Sequence, residues 1–292
     1  FGPDRAIHAA LARLLEVSDQ WSGLLAVVER DLAVAEDPAD RLALIVRAAD
    51  LRYRKTDEPL MAVLGYQEAL SLDPTTPAAR LALTEMLRSS TPDVPIAAAR
   101  ALEPVLRADG DWAKLVDVLD RIAAESDDRD ERLQALSSAA EVAEVGLSDS
   151  GRAFERASRA LSLAAEDADA GQRVAHVESL ARAAGRHKDL IAVFREVAPK
   201  LLDAELQRDV LMRIADTALT NLNDTATARE HFEKALENQA DFAPALDALE
   251  SLHESTQQWD ELLSVLRRKV ELADSDAARR ALLHKVARIQ EE

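Results

Sequence analysis

Apolar residues recur at helical spacing after three tryptophans of this chain. Behind Trp21 they stand at the third, fourth, sixth and seventh positions, and the same offsets follow Trp112 and Trp259. A fourth copy of the pattern begins at His187. Such offsets place the apolar side chains on one face of a helix. The pattern therefore predicts four amphipathic helices of one type, each beginning at one of these residues.

The four copies are spaced as parts of an internal repeat. Their separations are 91, 75 and 72 residues. A repeat made of two helices and their turns takes roughly 34 residues, so the last two separations are close to two such units. The first separation leaves room for one extra helix, which we expect near 76–89.

Helical periodicity and boundary residues predict sixteen helices joined by short loops. Asp37, Thr76 and Ser275 stand where N-caps are expected. Pro104 and Pro199 fall late in predicted helices, which should kink or stop there. The predicted helices are 4–18, 21–35, 40–54, 58–72, 76–89, 95–107, 111–125, 129–145, 150–164, 169–184, 187–202, 204–220, 225–238, 242–256, 259–273 and 276–291.

A second motif carries a resemblance to a known family. Ala62, Tyr66, Ala69 and Pro74 follow the order small, aromatic, small and proline at the spacing of tetratricopeptide repeats, and a weaker copy begins at Ala228. The chain resembles tetratricopeptide-repeat proteins over essentially its whole length. The resemblance implies an all-α, right-handed superhelical solenoid of antiparallel helix pairs, with about 16 helices.

We expect one domain over residues 1–292, because no Gly/Ser-rich linker or charge run separates two cores. The segment 89–95 contains two serines, a threonine and two prolines. It is the most loop-like part of the chain, and we interpret it as the best candidate for a break in the superhelix.

The last predicted helix is expected to leave an apolar face without a cover. The residues on this face are Leu282, Leu283, Val286 and Ile289. Solenoid ends usually carry polar caps, so the chain resembles a fragment of a longer array. Alternatively, a neighbouring molecule could cover this face, and self-association is then expected.

Composition argues against chemistry within the chain. Cysteine is absent, which excludes disulfides, thiolate metal sites and cysteine nucleophiles. The phosphate-loop, dinucleotide, hydrolase and zinc-protease motifs are absent as well. We therefore expect no enzyme, no cofactor and no metal site.

Charge and hydropathy narrow the choice of partners and compartment. The net charge of −18 opposes nucleic-acid binding. No run of 18 apolar residues occurs, so membrane insertion is not expected. The lack of cysteine and of a visible signal favours a cytoplasmic location.

Two weaker signals have simpler interpretations than ligand binding. Glu250 and His253 have a metal-like spacing, but a di-iron bundle needs two such motifs on facing helices, so we interpret them as part of a solvated helix face. Trp21, Trp112 and Trp259 could stack on a ligand. Because they occupy the same place in the repeat, we interpret them as core residues.

The resemblance also implies a binding surface, because the first helix of each tetratricopeptide pair lines a concave groove. The basic residues at the groove positions are Arg13, Arg47, Arg54, Lys55, Arg100, Arg107, Arg182 and Arg213. The acidic ones are Glu16, Asp247 and Glu254, and Lys285 continues the basic series. Eight basic residues against three acidic ones reverse the balance of the whole chain, which has 36 basic and 54 acidic residues.

Two interpretations of these cations stay open. Arginine binds carboxylates bidentately, so the groove suggests an acidic or carboxylate-bearing peptide as the ligand. Arg47, Arg213 and Lys285, however, share one repeat position. Cations at this position could instead bridge to acids on the adjacent helix and stabilise the stack.

These observations predict a non-catalytic scaffold that docks a protein or peptide partner in its groove. The chain is similar to long bacterial tetratricopeptide-repeat proteins that organise multiprotein assemblies, including some linked to motility and cell polarity. The alternative is a helical-repeat arm that regulates or positions an enzyme or a transcription regulator lying outside these 292 residues.

Overall fold

The computed structural model describes the backbone of residues 2–291 and the side chains of residues 7–290. Within these residues all sixteen predicted helices are present and no strand occurs, so the all-α prediction is confirmed. The helices are α1 (Gly2–Val17), α2 (Trp21–Val34), α3 (Pro38–Arg54), α4 (Pro59–Leu72), α5 (Pro77–Met86), α6 (Val94–Asp109), α7 (Trp112–Glu125), α8 (Arg129–Glu141), α9 (Ser150–Leu163), α10 (Ala170–Ala184), α11 (His187–Val197), α12 (Ala204–Leu222), α13 (Thr225–Asn238), α14 (Ala243–Ser255), α15 (Trp259–Leu272) and α16 (Asp276–Glu291).

The helices form two compact units, Phe1–Asp149 and Ser150–Glu292. Within each unit, helices that are neighbours in sequence pack on one another. The loop-like segment 89–95 lies inside the first unit, and the extra helix is present as α5, which packs against α4 and α6. The expectation of a single domain concerns both units together and stays a prediction.

Aspartate side chains begin several of the helices. Asp37 caps α3 by accepting the Asp40 N–H at 2.9 Å, and Asp203 caps α12 in the same way. A cap of this kind contributes about 1 kcal/mol. Thr76 precedes α5 as predicted, but its hydroxyl donates to the carbonyl of Asp73 instead of accepting from the helix.

The two late prolines behave differently. The helix α11 ends at Val197 and passes into a single 3₁₀ turn, Ala198–Lys200, so it stops at Pro199 as predicted. The helix α6 continues through Pro104 to Asp109. Val105 and Leu106 are buried beyond this proline, and their packing outweighs the hydrogen bond that proline removes.

Small residues let the helices of a hairpin approach closely. Between α3 and α4, Ala49 and Ala62 are completely buried. A Cβ atom on Gly65 would lie only 3.0 Å from that of Ala49. The fully buried ring of Tyr66 fills the remaining space, and its hydroxyl donates to Asp50 at 2.6 Å. The small–aromatic–small motif therefore builds the hairpin contact itself.

The last helix is better covered than the sequence suggested. Val286 is 9% exposed and packs with Leu262 and Leu266 of α15, and Leu282 and Ile289 join the same cluster. Leu283 stays exposed. The preceding helix α15 thus supplies contacts to three of the four apolar residues of α16, and self-association through this face stays a prediction. None of the described helices has the length and apolarity needed to cross a bilayer.

A glycine after α8 allows the close covering of Trp112. Residues Val142–Gly146 form a π-helical turn. A Cβ atom at Gly146 would lie 2.8 Å from the indole Cγ of Trp112, a distance that real Cβ contacts do not reach. Glycine is therefore required where this turn meets the ring.

We expect Gly146→Ala to lower the free energy of unfolding by about 1–3 kcal/mol, because the added methyl group overpacks the indole contact. Chemical denaturation followed by circular dichroism measures this change. The matched control is Gly171→Ala in α10, where the nearest atom, of Leu206, lies 3.7 Å from the new Cβ. This control should be neutral or slightly stabilising, since alanine favours helix. Equal losses at both glycines would contradict the prediction.

Candidate binding faces of the two units

Several of the predicted groove cations contact acids about one repeat away in sequence, on the next helix but one. In the first unit Arg47 of α3 reaches Glu16 of α1 at 3.6 Å. Arg54 reaches Glu85 of α5 at 3.4 Å. All four side chains are about half exposed. We call these two contacts the loose pairs, because exposed ion pairs of this length contribute about 0–1 kcal/mol at most.

Arg100 makes a much closer contact. Its Nε and Nη2 donate to the two carboxylate oxygens of Glu131 at 2.8 and 2.7 Å. Glu131 also accepts a hydrogen bond from the Ser126 hydroxyl. The Arg100 guanidinium, followed by this hydroxyl, lowers the pKa of Glu131 below its ordinary value. This bidentate pair joins α6 to α8.

Two further cations hold alternate helices of the second unit together. Arg213 of α12 donates to Glu178 of α10 and, at 2.8 Å, to Asp209 on its own helix. Lys285 of α16 donates to two acids of α14, one of them Glu250 at 2.7 Å. We call the contacts of Arg100, Arg213 and Lys285 the tight pairs.

The other predicted cations differ in how they are held. Arg107 donates to Glu103 and to Ser138 of α8, both within 2.9 Å. Arg182 contacts Glu178 at 3.0 Å, but its side chain stays 74% exposed. The three acids predicted at groove positions, Glu16, Asp247 and Glu254, are themselves ion-paired.

Arg13 and Lys55 make no ion pair with the side chains that are described. Arg13 of α1 is exposed. The ammonium group of Lys55 lies 4.1 Å from the ring centroid of Trp21, which is a cation–π contact. Arg13 lies on α1, three residues before Glu16, which is the partner of Arg47. The first unit therefore carries Arg13 on α1 and both Arg47 and Arg54 on α3.

The three tryptophans do not share one environment. Trp21 packs against the core of the first unit below Lys55, and Trp112 packs against Gly146. Trp259 is 44% exposed. Lys55 and Gly146 each stand 34 residues after the ring that they cover. The interpretation as a core residue is therefore wrong for Trp259.

The interpretation of Glu250 and His253 as a solvated face is also wrong. The Glu250 side chain is 15% exposed and accepts hydrogen bonds from Lys269 and Lys285. Burial raises its pKa, but these bonds outweigh that effect and hold the pKa below the ordinary value. His253 is buried, and its Nδ1 bonds Gln258 at 2.8 Å. Among the described residues, no three acidic or histidine side chains are grouped to hold a metal ion.

A buried histidine lines a cleft of about 540 Å³ beside α11 and α13. His231 is 1% exposed. Its Nδ1 bonds the Thr227 carbonyl at 2.9 Å, and Arg195 donates to its Nε2 at 3.3 Å. Burial lowers the pKa of His231, so the ring is neutral and both of its nitrogens are satisfied. We assign this histidine to packing.

A second, smaller cleft contains an acid that sequence reasoning missed. It lies between α10, α11 and α12, has a volume of about 170 Å³, and is lined by polar residues that include His187, Asp216, Thr217 and Asn221. Asp216 makes no hydrogen bond or ion pair through its carboxylate with any described residue. A gapless alignment of 187–238 on 21–72 would have found it, because this alignment pairs Asp216 with Asp50.

Residues 245–280 match the family model described as a tetratricopeptide repeat. This segment contains most of α14, all of α15 and the beginning of α16. No curated protein sequence matches the chain.

Several solved structures are similar to the chain at low identity. A tetratricopeptide repeat protein from Parabacteroides merdae is 12% identical, with 98% of this chain and 100% of that chain covered and a TM-score of 0.28. The TPR2AB domain of yeast Sti1, solved with pHSP90, is 12% identical over 99% and 100%, with a TM-score of 0.33. BtubC from P. vanneervenii is 16% identical over 75% and 91%, with a TM-score of 0.29.

One repeat is matched directly, at residues 245–280, and the sixteen described helices pack in sequence order within their units. The chain is therefore an all-helical repeat protein whose matched segment is a tetratricopeptide repeat.

Proposed function

We propose that this protein is a docking scaffold that holds an acidic segment of a partner protein on helices α1 and α3 of its first unit. Stacked helical repeats offer long surfaces to partner proteins, which supports the scaffold role. The observation that carries the proposal is the state of Arg13, Arg47 and Arg54. They are exposed and are held loosely or not at all.

These arginines keep most of their hydrogen-bonding capacity. A guanidinium group has five N–H donors. Arg54 uses one of them, at 3.4 Å, on Glu85, while the 3.6 Å contact of Arg47 with Glu16 is longer than a hydrogen bond. Partner carboxylates can therefore bind these groups bidentately without first breaking a strong internal contact.

A partner carboxylate can replace Glu16 or Glu85 at these arginines, which makes binding compatible with the negative charge of the chain. The net charge of −18 opposes an acidic partner at long range. When a partner carboxylate binds, Glu16 or Glu85 returns to water, and the loose pair that is lost contributed about 0–1 kcal/mol at most. Binding should be moderate, should weaken with salt, and should depend on α1 and α3 rather than on the tight pairs.

We expect a short fluorescein-labelled peptide of alternating Glu and Ala to bind this protein, and Arg13→Gln together with Arg54→Gln to weaken binding about tenfold or more. The reason is the loss of charge-assisted hydrogen bonds. Fluorescence anisotropy at low and high salt measures the affinity, and circular dichroism verifies folding.

Arg100→Gln is the matched control, because this arginine serves Glu131 and joins two helices. It should leave peptide binding unchanged while lowering stability. The proposal is wrong if the Glu/Ala peptide does not bind, if the double variant binds it equally well, or if Arg100→Gln causes the same loss.

A further inference from the structure

The second unit repeats a segment of the first without a gap. Residues 187–238 align with 21–72 at a constant offset of 166, so that α11, α12 and α13 correspond to α2, α3 and α4. The aspartate N-caps of α3 and α12 coincide under this offset. The first segment can therefore serve as an internal reference for what is unusual in the second.

An aspartate is retained in both segments, but its partner is not. Asp50 accepts the hydroxyl of Tyr66 at 2.6 Å. The corresponding pair is Asp216 and Phe232. Phe232 is buried like Tyr66 and has no hydroxyl to donate. Asp216 therefore lacks the internal hydrogen-bond donor that Asp50 has, because phenylalanine lacks the hydroxyl group of tyrosine.

The same comparison explains why a cleft opens beside Asp216. In the first segment Lys55 covers the ring of Trp21. The corresponding residues are Asn221 and His187, which are both smaller, and both line the cleft. Arg54 is the last residue of α3, and Lys55 directly follows it. The two corresponding positions in α12 are neutral, since they are threonine and asparagine.

The charges around the cleft leave Asp216 without compensation. Arg213 is engaged by Glu178 and Asp209, and Arg182 is engaged by Glu178. Three acids thus face two arginines. Asp216 is exposed at the cleft. Partial desolvation there, followed by repulsion from Asp209 and Glu178, raises the pKa of Asp216 above its ordinary value.

A mostly buried threonine lines the same cleft. Thr217 lines it and is 9% exposed. Its hydroxyl makes no hydrogen bond with any described residue. The hydroxyl oxygen is not among the fully enclosed side-chain atoms that lack a partner, so it is accessible from the cleft and can accept a hydrogen bond there. The carboxylate of Asp216 and this hydroxyl are adjacent in sequence, and both lack a partner.

We infer that the cleft between α10, α11 and α12 is a binding site for a basic side chain, lysine or arginine, of a partner protein. The cation would be held by the Asp216 carboxylate, with the Thr217 hydroxyl and the Asn221 amide oxygen as neutral acceptors. An incoming positive charge balances the third acid and can donate a hydrogen bond to the Thr217 hydroxyl. This site lies in the second unit and does not depend on the acidic-segment proposal for the first.

We expect Asp216→Asn to raise the free energy of unfolding at neutral pH. The folded state binds the Asp216 proton more tightly than the unfolded chain does, so this carboxyl destabilises the fold as the pH rises above the ordinary range of an aspartate. The gain should therefore disappear at lower pH, where both states are protonated. Glu178, Asp209, Arg182, Arg213 and His187 are the ionisable groups around it.

Asp209→Asn is the control, because it removes the same charge from the same helix but also removes a hydrogen bond from Arg213. It should lower stability. A loss of stability in Asp216→Asn at neutral pH would contradict the unpaired state of Asp216.

Binding is tested with N-acetyl-lysine methylamide and N-acetyl-arginine methylamide as probes, and N-acetyl-glutamine methylamide as the uncharged control. Proton–nitrogen NMR of the full chain follows the amides of His187, Thr217 and Asn221. We expect saturable shifts with one or both cations and none with the glutamine probe. Asp216→Asn should weaken binding about tenfold or more, since a hydrogen bond to a charged group is lost.

Phe232→Tyr gives a sharper version of the same test. This variant adds a hydroxyl at the position that corresponds to Tyr66, whose hydroxyl donates to Asp50. The new hydroxyl should donate a hydrogen bond to Asp216 and weaken cation binding, while the fold is kept. Asp241→Asn, an exposed charge removal elsewhere in the second unit, should leave binding unchanged.

The inference is overturned if neither cation gives saturable shifts at these amides, or if Asp216→Asn binds them as well as the unmodified chain. It is also overturned if Asp241→Asn weakens binding equally, because the cation would then respond only to net charge. Loss of Glu/Ala peptide binding to the first unit would leave these outcomes unaffected.

Discussion

The close approach of paired helices through small side chains is the constraint on which the rest of this structure depends. Ala49, Ala62 and Gly65 bring α3 against α4, and the ring of Tyr66 fills the gap that remains. Packing at this density leaves little freedom in the angle between the helices. Alternate helices are thereby placed side by side, so that charged residues about 31 or 35 positions apart meet repeatedly along each unit.

The polar residues at these contacts fall into two groups. Those with a close internal partner stabilise the fold, and those with a weak partner or none can bind another molecule. Arg100 forms a bidentate pair with Glu131, and this pair stabilises the fold. Arg54 lies at the same kind of place, yet its contact with Glu85 leaves it largely available. Asp50 and Asp216 differ in the same way, since one hydroxyl satisfies the first and is missing beside the second. A repeat protein can therefore gain a binding site by losing a single internal partner, while the scaffold around it stays intact.

The helices could be predicted from the sequence because their apolar periodicity is strong and because aspartate caps such as Asp37 mark their starts. Side-chain contacts could not, because a shift of one residue turns a side chain about 100° around the helix. The spacing of Glu250 and His253 therefore gave no indication that Lys269 and Lys285 enclose the acid. The exposure of Trp259 was missed for a related reason, since its place in the repeat does not show which side chains contact the ring.

The division into tight and loose pairs is tested most directly by double-mutant cycles on two contacts of the first unit. One cycle uses Arg100→Ala and Glu131→Ala, and the other uses Arg54→Ala and Glu85→Ala, with unfolding measured by chemical denaturation. The account predicts a coupling free energy of about 1 kcal/mol for the bidentate pair and about 0.2 kcal/mol or less for the loose pair. Equal couplings, or a stronger coupling between Arg54 and Glu85, would contradict it.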